Sequence, residues 1–132
     1  RKGDNLYSCS TVAIDVKTGQ IVWHYQNTPN DGWDFDGVNE FVTYEDGGKV
    51  LGGKADRNGF FYVNDAKTGQ LVNAFPFVKK ITWATGIDLK TGRPNFVPEN
   101  RPGDPTAGSD GKKGNSVFSL LLGVVNFDSR GR

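Results

Sequence analysis

With 132 residues, 36% of them hydrophobic and 23% charged, the chain is long enough for one ordinary domain with a core and too apolar for a disordered segment. A formal net charge of +1, with acids and bases interspersed, excludes the one-signed surface of a nucleic-acid binder. No apolar run is long enough to cross a bilayer as a helix, the single Cys9 cannot form an internal disulfide, and a chain that starts Arg1-Lys2-Gly3 without any methionine reads as a piece of a longer protein.

Taken in chain order, the first predicted element is a hairpin. Thr11 to Ile14 and Gln20 to Tyr25 are apolar, β-branched runs on either side of Asp15-Val16-Lys17-Thr18-Gly19. Asp can bond the backbone of its own turn and Gly supplies the positive φ at which the chain reverses. The same pattern returns twice, in V-N-D-A-K-T-G-Q-L-V-N (Val63 to Asn73) and G-I-D-L-K-T-G-R-P-N-F (Gly86 to Phe96). Between the repeats, strands are predicted at Phe41 to Tyr44, Lys49 to Gly52, Phe60 to Asn64 and Lys79 to Trp83. Asp46-Gly47-Gly48 and Arg57-Asn58-Gly59 read as hairpin turns. From Pro94 to Asn115 the pattern stops, and four prolines with several glycines read as a long surface excursion. A hairpin cannot bury its faces alone, so repeats of this kind must stack against neighbours. That requirement points to an all-β fold of radially arranged sheets, a β-propeller, with strands for roughly two or three blades. Trp23 closes the first repeat as a wedge between sheets, and Asn73 stands in its place in the second.

The stretch W-D-F-D-G (Trp33 to Gly37) sets two carboxylates two positions apart. Held ~4–5 Å from each other they repel by about 1 kcal/mol in water and by more in a cleft. A hard, oxygen-seeking cation relieves that conflict. If the stretch is a strand, Asp34 and Asp36 share a face and Phe35 turns into packing.

The A-x-D-x-x-T-G-x-x-x-W repeat at Ala13 to Trp23 resembles the tryptophan-docking motif of the eight-bladed propellers of pyrroloquinoline quinone (PQQ) alcohol dehydrogenases. T-P-N-D-G-W-D-F-D-G-V-N-E (Thr28 to Glu40) resembles their active-site segment, and K-A-D-R-N-G-F-F-Y (Lys54 to Tyr62) their next strand and turn. The resemblance runs from Arg1 to about Phe118 and is nearest to the ethanol and methanol types, particularly the lanthanide-associated branch. It implies that residues 1–132 are an internal fragment of one propeller domain, with 94–115 as the excursion and 119–132 departing from the family pattern. By the same resemblance Asp34 falls on the catalytic aspartate and also on a metal ligand. Asp36 falls on the additional metal-binding aspartate of lanthanide types, and Arg57 on the basic residue that hydrogen-bonds the quinone oxygens. The remaining ligands, a Glu and an Asn, would lie before Arg1.

The implied activity is oxidation of a primary alcohol to an aldehyde, with PQQ and Ca²⁺ or a lanthanide ion as cofactors. Asp34 would act as base while hydride passes to the quinone. The implied partners are a small alcohol and a cytochrome c electron acceptor, the implied compartment is the periplasm, and a homodimer is compatible with the resemblance. No nucleic-acid partner is expected. The competing reading is a non-catalytic propeller scaffold of the outer-membrane assembly type, which uses the same docking repeats. A PQQ sugar dehydrogenase is a third. The paired acids followed by D-R-N-G separate the enzyme from the scaffold.

Other residues read plainly. Lys54 is expected exposed on a strand, close enough to serve as a second cation. His24 is expected packed or facing solvent, Cys9 is expected in a strand, and Trp33 and Trp83 are expected to pack. The Lys-Thr-Gly turns lack the glycine pattern and following helix of a phosphate loop.

Overall fold

The computed structural model describes residues 3–102. They form eight strands and one short 3₁₀ turn at Pro98–Asn100, and all strand pairs are antiparallel. Strands β1 (Ser10–Ile14) and β2 (Ile21–Gln26) make a hairpin. Strands β3 (Val42–Asp46), β4 (Lys49–Ala55), β5 (Phe60–Asp65) and β6 (Leu71–Pro76) make a four-stranded meander in sequence order. Strands β7 (Ala84–Ile87) and β8 (Pro94–Phe96) make a second hairpin.

The three repeats fold alike. Gly19, Gly69 and Gly92 each donate their amide to the carbonyl of the aspartate four residues earlier, at 2.7, 2.8 and 2.7 Å. The carboxylates of Asp15, Asp65 and Asp88 accept from the amides two and three residues on, at distances between 2.7 and 3.0 Å. These bonds hold the three carboxyls below the ordinary value of 3.8; the largest cause is the Thr18 amide at Asp15, the Lys67 amide at Asp65 and the Thr91 amide at Asp88. A depressed carboxyl stabilises the fold above its ordinary value and ceases to do so as the pH falls through its folded value. Carbon-detected NMR titration of the folded protein should therefore place all three midpoints below 3.8. A midpoint at or above that value would contradict the turn geometry. Asp15 is exposed and Asp65 and Asp88 are only half-buried, so the effect of any one turn on stability is small.

Sheets are locked together through these turns. Trp23, on β2, donates its indole N–H to the Ala66 carbonyl at 3.2 Å, and its ring lies against Gly69, where a Cβ would come within 2.5 Å. Only glycine fits beneath the ring, so the repeat supplies both the wedge and its seat. Tyr25, two residues on, donates its hydroxyl to the Gly92 carbonyl of the third turn at 2.8 Å. Asn73 occupies the wedge position of the second repeat but lies exposed, its Oδ1 accepting from the Ala74 amide at 2.8 Å.

The core is aromatic. Tyr25, Phe60, Tyr62, Leu71, Trp83 and Ala84 form its buried centre, with Trp23, Trp33, Phe35 and Phe96 packed against it. Two expectations are corrected here. Residues 79–83 are not a strand; Trp83 is buried with its indole bonded to the Asn58 carbonyl at 2.7 Å, and β7 starts one residue later. The strand pattern also continues past Pro94, because Pro94–Phe96 is β8 and pairs with β7. The rest of the predicted excursion beyond residue 102, and the segment 119–132, lie outside the described residues. Among the described residues no helix is long and apolar enough to cross a membrane.

Candidate active site

The acidic stretch lies on the loop between β2 and β3, beside the turn that joins β4 to β5. The loop starts from a buried base. Asn27 and Thr28 are 1% and 0% exposed, and the Asn58 side-chain amide of the second turn donates to Thr28 Oγ1 at 2.9 Å and to the Asn27 carbonyl at 3.4 Å. Asn58 also donates to the Tyr62 hydroxyl at 2.8 Å and accepts the Phe60 amide at 3.1 Å. Thus D-R-N-G and T-P-N-D-G, far apart in sequence, meet through one buried asparagine.

The loop itself is not a strand. Asp34 and Asp36 have φ of 64° and 63°, in the left-handed region, and Gly37 follows at 58°. The predicted alternation nevertheless holds by another route: Trp33 and Phe35 turn inward and stack at 5.9 Å with planes 16° apart, while Asp34 and Asp36 face outward. Trp83 lies beneath both rings, at 5.6 and 5.7 Å. Trp33 also stacks on Phe96 at 6.0 Å and donates its indole to the Asn100 carbonyl at 2.8 Å. Both tryptophans therefore pack, as expected. Aspartate tolerates the left-handed region better than most residues, yet two such residues in three need outside support.

Asp31 gives that support, and the motif reading passed it over. Its carboxylate accepts the amides of Trp33 at 2.9 Å, Phe35 at 2.8 Å and Asp36 at 3.1 Å. The Cys9 thiol donates to the same carboxylate at 3.3 Å. Burial first, and then the Asp31 carboxylate, push that thiol up to about 12. Cys9 is therefore not a plain strand residue; it precedes β1 with φ 47° and buttresses the loop from below. The available signal was the spacing of Asp31 to its amides, since an aspartate two and four residues ahead of them can cap a turn.

Arg57 stands beside the loop, its Nη1 3.5 Å from Asp36 Oδ2, with side chains 31% and 54% exposed. Asp34 is exposed and accepts no hydrogen bond from the described residues. Lys54 departs from expectation. It is buried rather than exposed, with Nζ 3.4 Å from Asp56 Oδ2. Burial pushes the Asp56 carboxyl up, opposed by the Asn58 amide and by the Lys54 charge. His24 is exposed, its ring edge-on to Tyr7 at 4.9 Å.

The local charge balance is acidic, with Asp31, Asp34, Asp36 and Asp56 against Lys54 and Arg57. Exposed carboxylate oxygens on a braced loop are the donors a hard cation selects, and a guanidinium beside them can donate to a quinone's oxygens. The residues present thus fit one wall of a metal and quinone site. No group of three or more His, Cys, Asp or Glu side chains placed to hold a metal ion occurs among the described residues.

Antiparallel sheets docked through Trp23 and Tyr25 onto repeated turns are the architecture of a β-propeller, with a braced acidic loop at their edge. Residues 1–86 match the family model "PQQ: Glucose/ethanol/alcohol dehydrogenase, beta-propeller domain", and the chain belongs to that family. It is 57% identical over 133 residues to the quinoprotein alcohol dehydrogenase PedH of Pseudomonas putida, covering 96% of this chain and 22% of that protein. It is 47% identical over 104 residues to the quinohemoprotein alcohol dehydrogenase ADH-IIG of Pseudomonas putida, covering 75% of this chain and 14% of the relative. Its backbone is similar to a europium-containing methanol dehydrogenase, with a TM-score of 0.69 and 44% identity over 74% of this chain and 18% of the other. The chain therefore spans about a fifth of the length of such relatives.

Proposed function

We propose that the protein to which this chain belongs oxidises a primary alcohol to an aldehyde with PQQ and a Ca²⁺ or lanthanide ion, and that residues 1–132 are part of its single propeller domain. The observation that carries the reading is the braced loop that leaves Asp34 and Asp36 exposed beside Arg57. When bound, the quinone accepts hydride and the metal polarises it as a Lewis acid. Asp34, outward-facing and hydrogen-bonded to no described residue, takes the hydroxyl proton of the alcohol on a carboxylate oxygen. Arg57 donates N–H groups toward the quinone oxygens and favours negative charge there. Asp36 directs a second carboxylate at the cation, and Asp34 supplies the first. The stacked Trp33 and Phe35 keep water from the underside of the loop.

A further carboxylate offsets the third charge of a lanthanide, and the likeness to a europium-containing enzyme supports that choice. The quinohemoprotein relative supports a cytochrome c as electron acceptor, and the reading puts the enzyme in the periplasm. A partner-binding scaffold has no use for paired acids beside a guanidinium.

The test reconstitutes the complete reading frame with PQQ and either Ca²⁺ or La³⁺ and follows dye-linked ethanol oxidation. Asp36→Asn, which suits the left-handed backbone at that position, is expected to lower La³⁺-supported turnover by roughly 10–100-fold and to affect Ca²⁺-supported turnover less. Equal turnover in both proteins with either metal would remove Asp36 from the metal site. No alcohol oxidation with any metal would overturn the dehydrogenase reading.

A further inference from the structure

Two buried charges lie under the acidic loop and take no part in the proton transfer described above. Lys54 is 3% exposed and Asp56 is 0% exposed. Lys54 Nζ donates to the Gly37 carbonyl at 2.6 Å and to Asn27 Oδ1 at 3.5 Å, and so reaches both ends of the loop. Its third neighbour is Asp56 Oδ2 at 3.4 Å, an ion-pair distance without hydrogen-bond direction. Asp56 Oδ1 accepts the Asn58 amide at 3.1 Å, which fixes the carboxylate to the second turn. Its Oδ2 accepts no hydrogen bond and lies 2.9 Å from the place a Gly37 Cβ would occupy.

A buried ion pair of this kind is a poor device for stability, because apolar groups of the same shape often serve as well. Its value lies in position. The ammonium donates to two oxygens of the loop and lies against the Asp56 carboxylate, so it is held under the loop and not aimed at a substrate. Glycine at position 37, with φ 58°, lets the backbone settle onto the Asp56 carboxylate. The residue before it is Asp36, whose carboxylate meets Arg57.

We propose that Lys54 and Asp56 are positioning residues that clamp the Gly37 end of the loop to its Asn27 base and set where Asp34 and Asp36 stand. The clamp itself follows from these contacts; its consequence for alcohol turnover rests on the dehydrogenase reading. The experiment uses the complete reading frame without metal or quinone and measures amide hydrogen exchange. In Lys54→Met/Asp56→Asn, which removes both charges and keeps the Asn58 acceptor, the amides of residues 33–39 should exchange on the order of tenfold faster, as for loss of one charge-assisted hydrogen bond, with the strands unchanged. Unchanged exchange at 33–39 would overturn the proposal. If the double variant loses protection throughout, Asp56→Asn alone decides: it should speed exchange at 33–39 but not in β4 or β5, and uniform or unaltered exchange overturns the clamp. With cofactors restored, kcat of the double variant should fall by ~10²-fold, the scale of a misplaced catalytic group, and KM should change little. A wild type that oxidises no alcohol would sink the dehydrogenase reading, and the exchange arm would still decide the clamp.

Discussion

Asp34→Asn is expected to lower kcat for ethanol by ~10²–10⁴-fold in the reconstituted full-length protein, the usual contribution of a general base. The same substitution should leave the melting temperature within about 2 °C, as for most surface changes away from caps and networks. Both halves follow from the local geometry. Asp34 is exposed and takes no hydrogen bond from the described residues, so an amide in its place breaks nothing there. Its φ of 64° makes asparagine the right probe, because asparagine tolerates the left-handed region and alanine does not. With Asp34→Ala, backbone strain of ~1–2 kcal/mol would mix with the chemical loss. Steady-state kinetics and thermal unfolding on one preparation separate the two effects. Turnover within threefold of wild type would remove Asp34 as the base, and a loss matched by a large drop in melting temperature would make it structural.

The parts of the fold legible in the sequence are those governed by local chemistry. Asp-x-Lys-Thr-Gly specifies one turn because the carboxylate, two amides and the glycine lie within five residues of one another, and all three copies fold that way. The docking of Trp23 was legible for a related reason, since its seat is another copy of the same turn. Lys54 was misread because nothing in K-A-D-R-N-G announces the Gly37 carbonyl and the Asn27 side chain that satisfy its ammonium from the preceding loop. Trp83 ended a predicted strand for want of its distant partner, the Asn58 carbonyl. The outward pose of Asp34 and Asp36 was anticipated on strand periodicity, yet it is produced by left-handed residues between inward-facing rings. The pattern of burial was readable, and the backbone that makes it was not. Such a backbone depends on a carboxylate from outside the repeating pattern, that of Asp31.

Asp31→Ala is the substitution expected to test that dependence most severely. It would strip acceptors from the amides of Trp33, Phe35 and Asp36 and from the Cys9 thiol at once. Each buried donor left without a partner costs about 1–3 kcal/mol, although water entering this partly exposed loop reduces the sum. The loop would then relax away from φ values near 63°, and Asp34 and Asp36 would lose their fixed outward pose. A fall in kcat of ~10²-fold or more should accompany a modest loss of melting temperature, since misplacement by an ångström suffices for that factor. Asp31→Asn separates positioning from charge, because its side-chain oxygen can still accept two of the amides while the negative charge is gone. Recovery of most of the turnover in Asp31→Asn would show that the hydrogen bonds matter. Equal loss in both variants would show that the loop needs the charge, with the Cys9 thiol then expected to react faster with iodoacetamide in each. Full activity in Asp31→Ala would mean that the stacked Trp33 and Phe35 hold the loop without it.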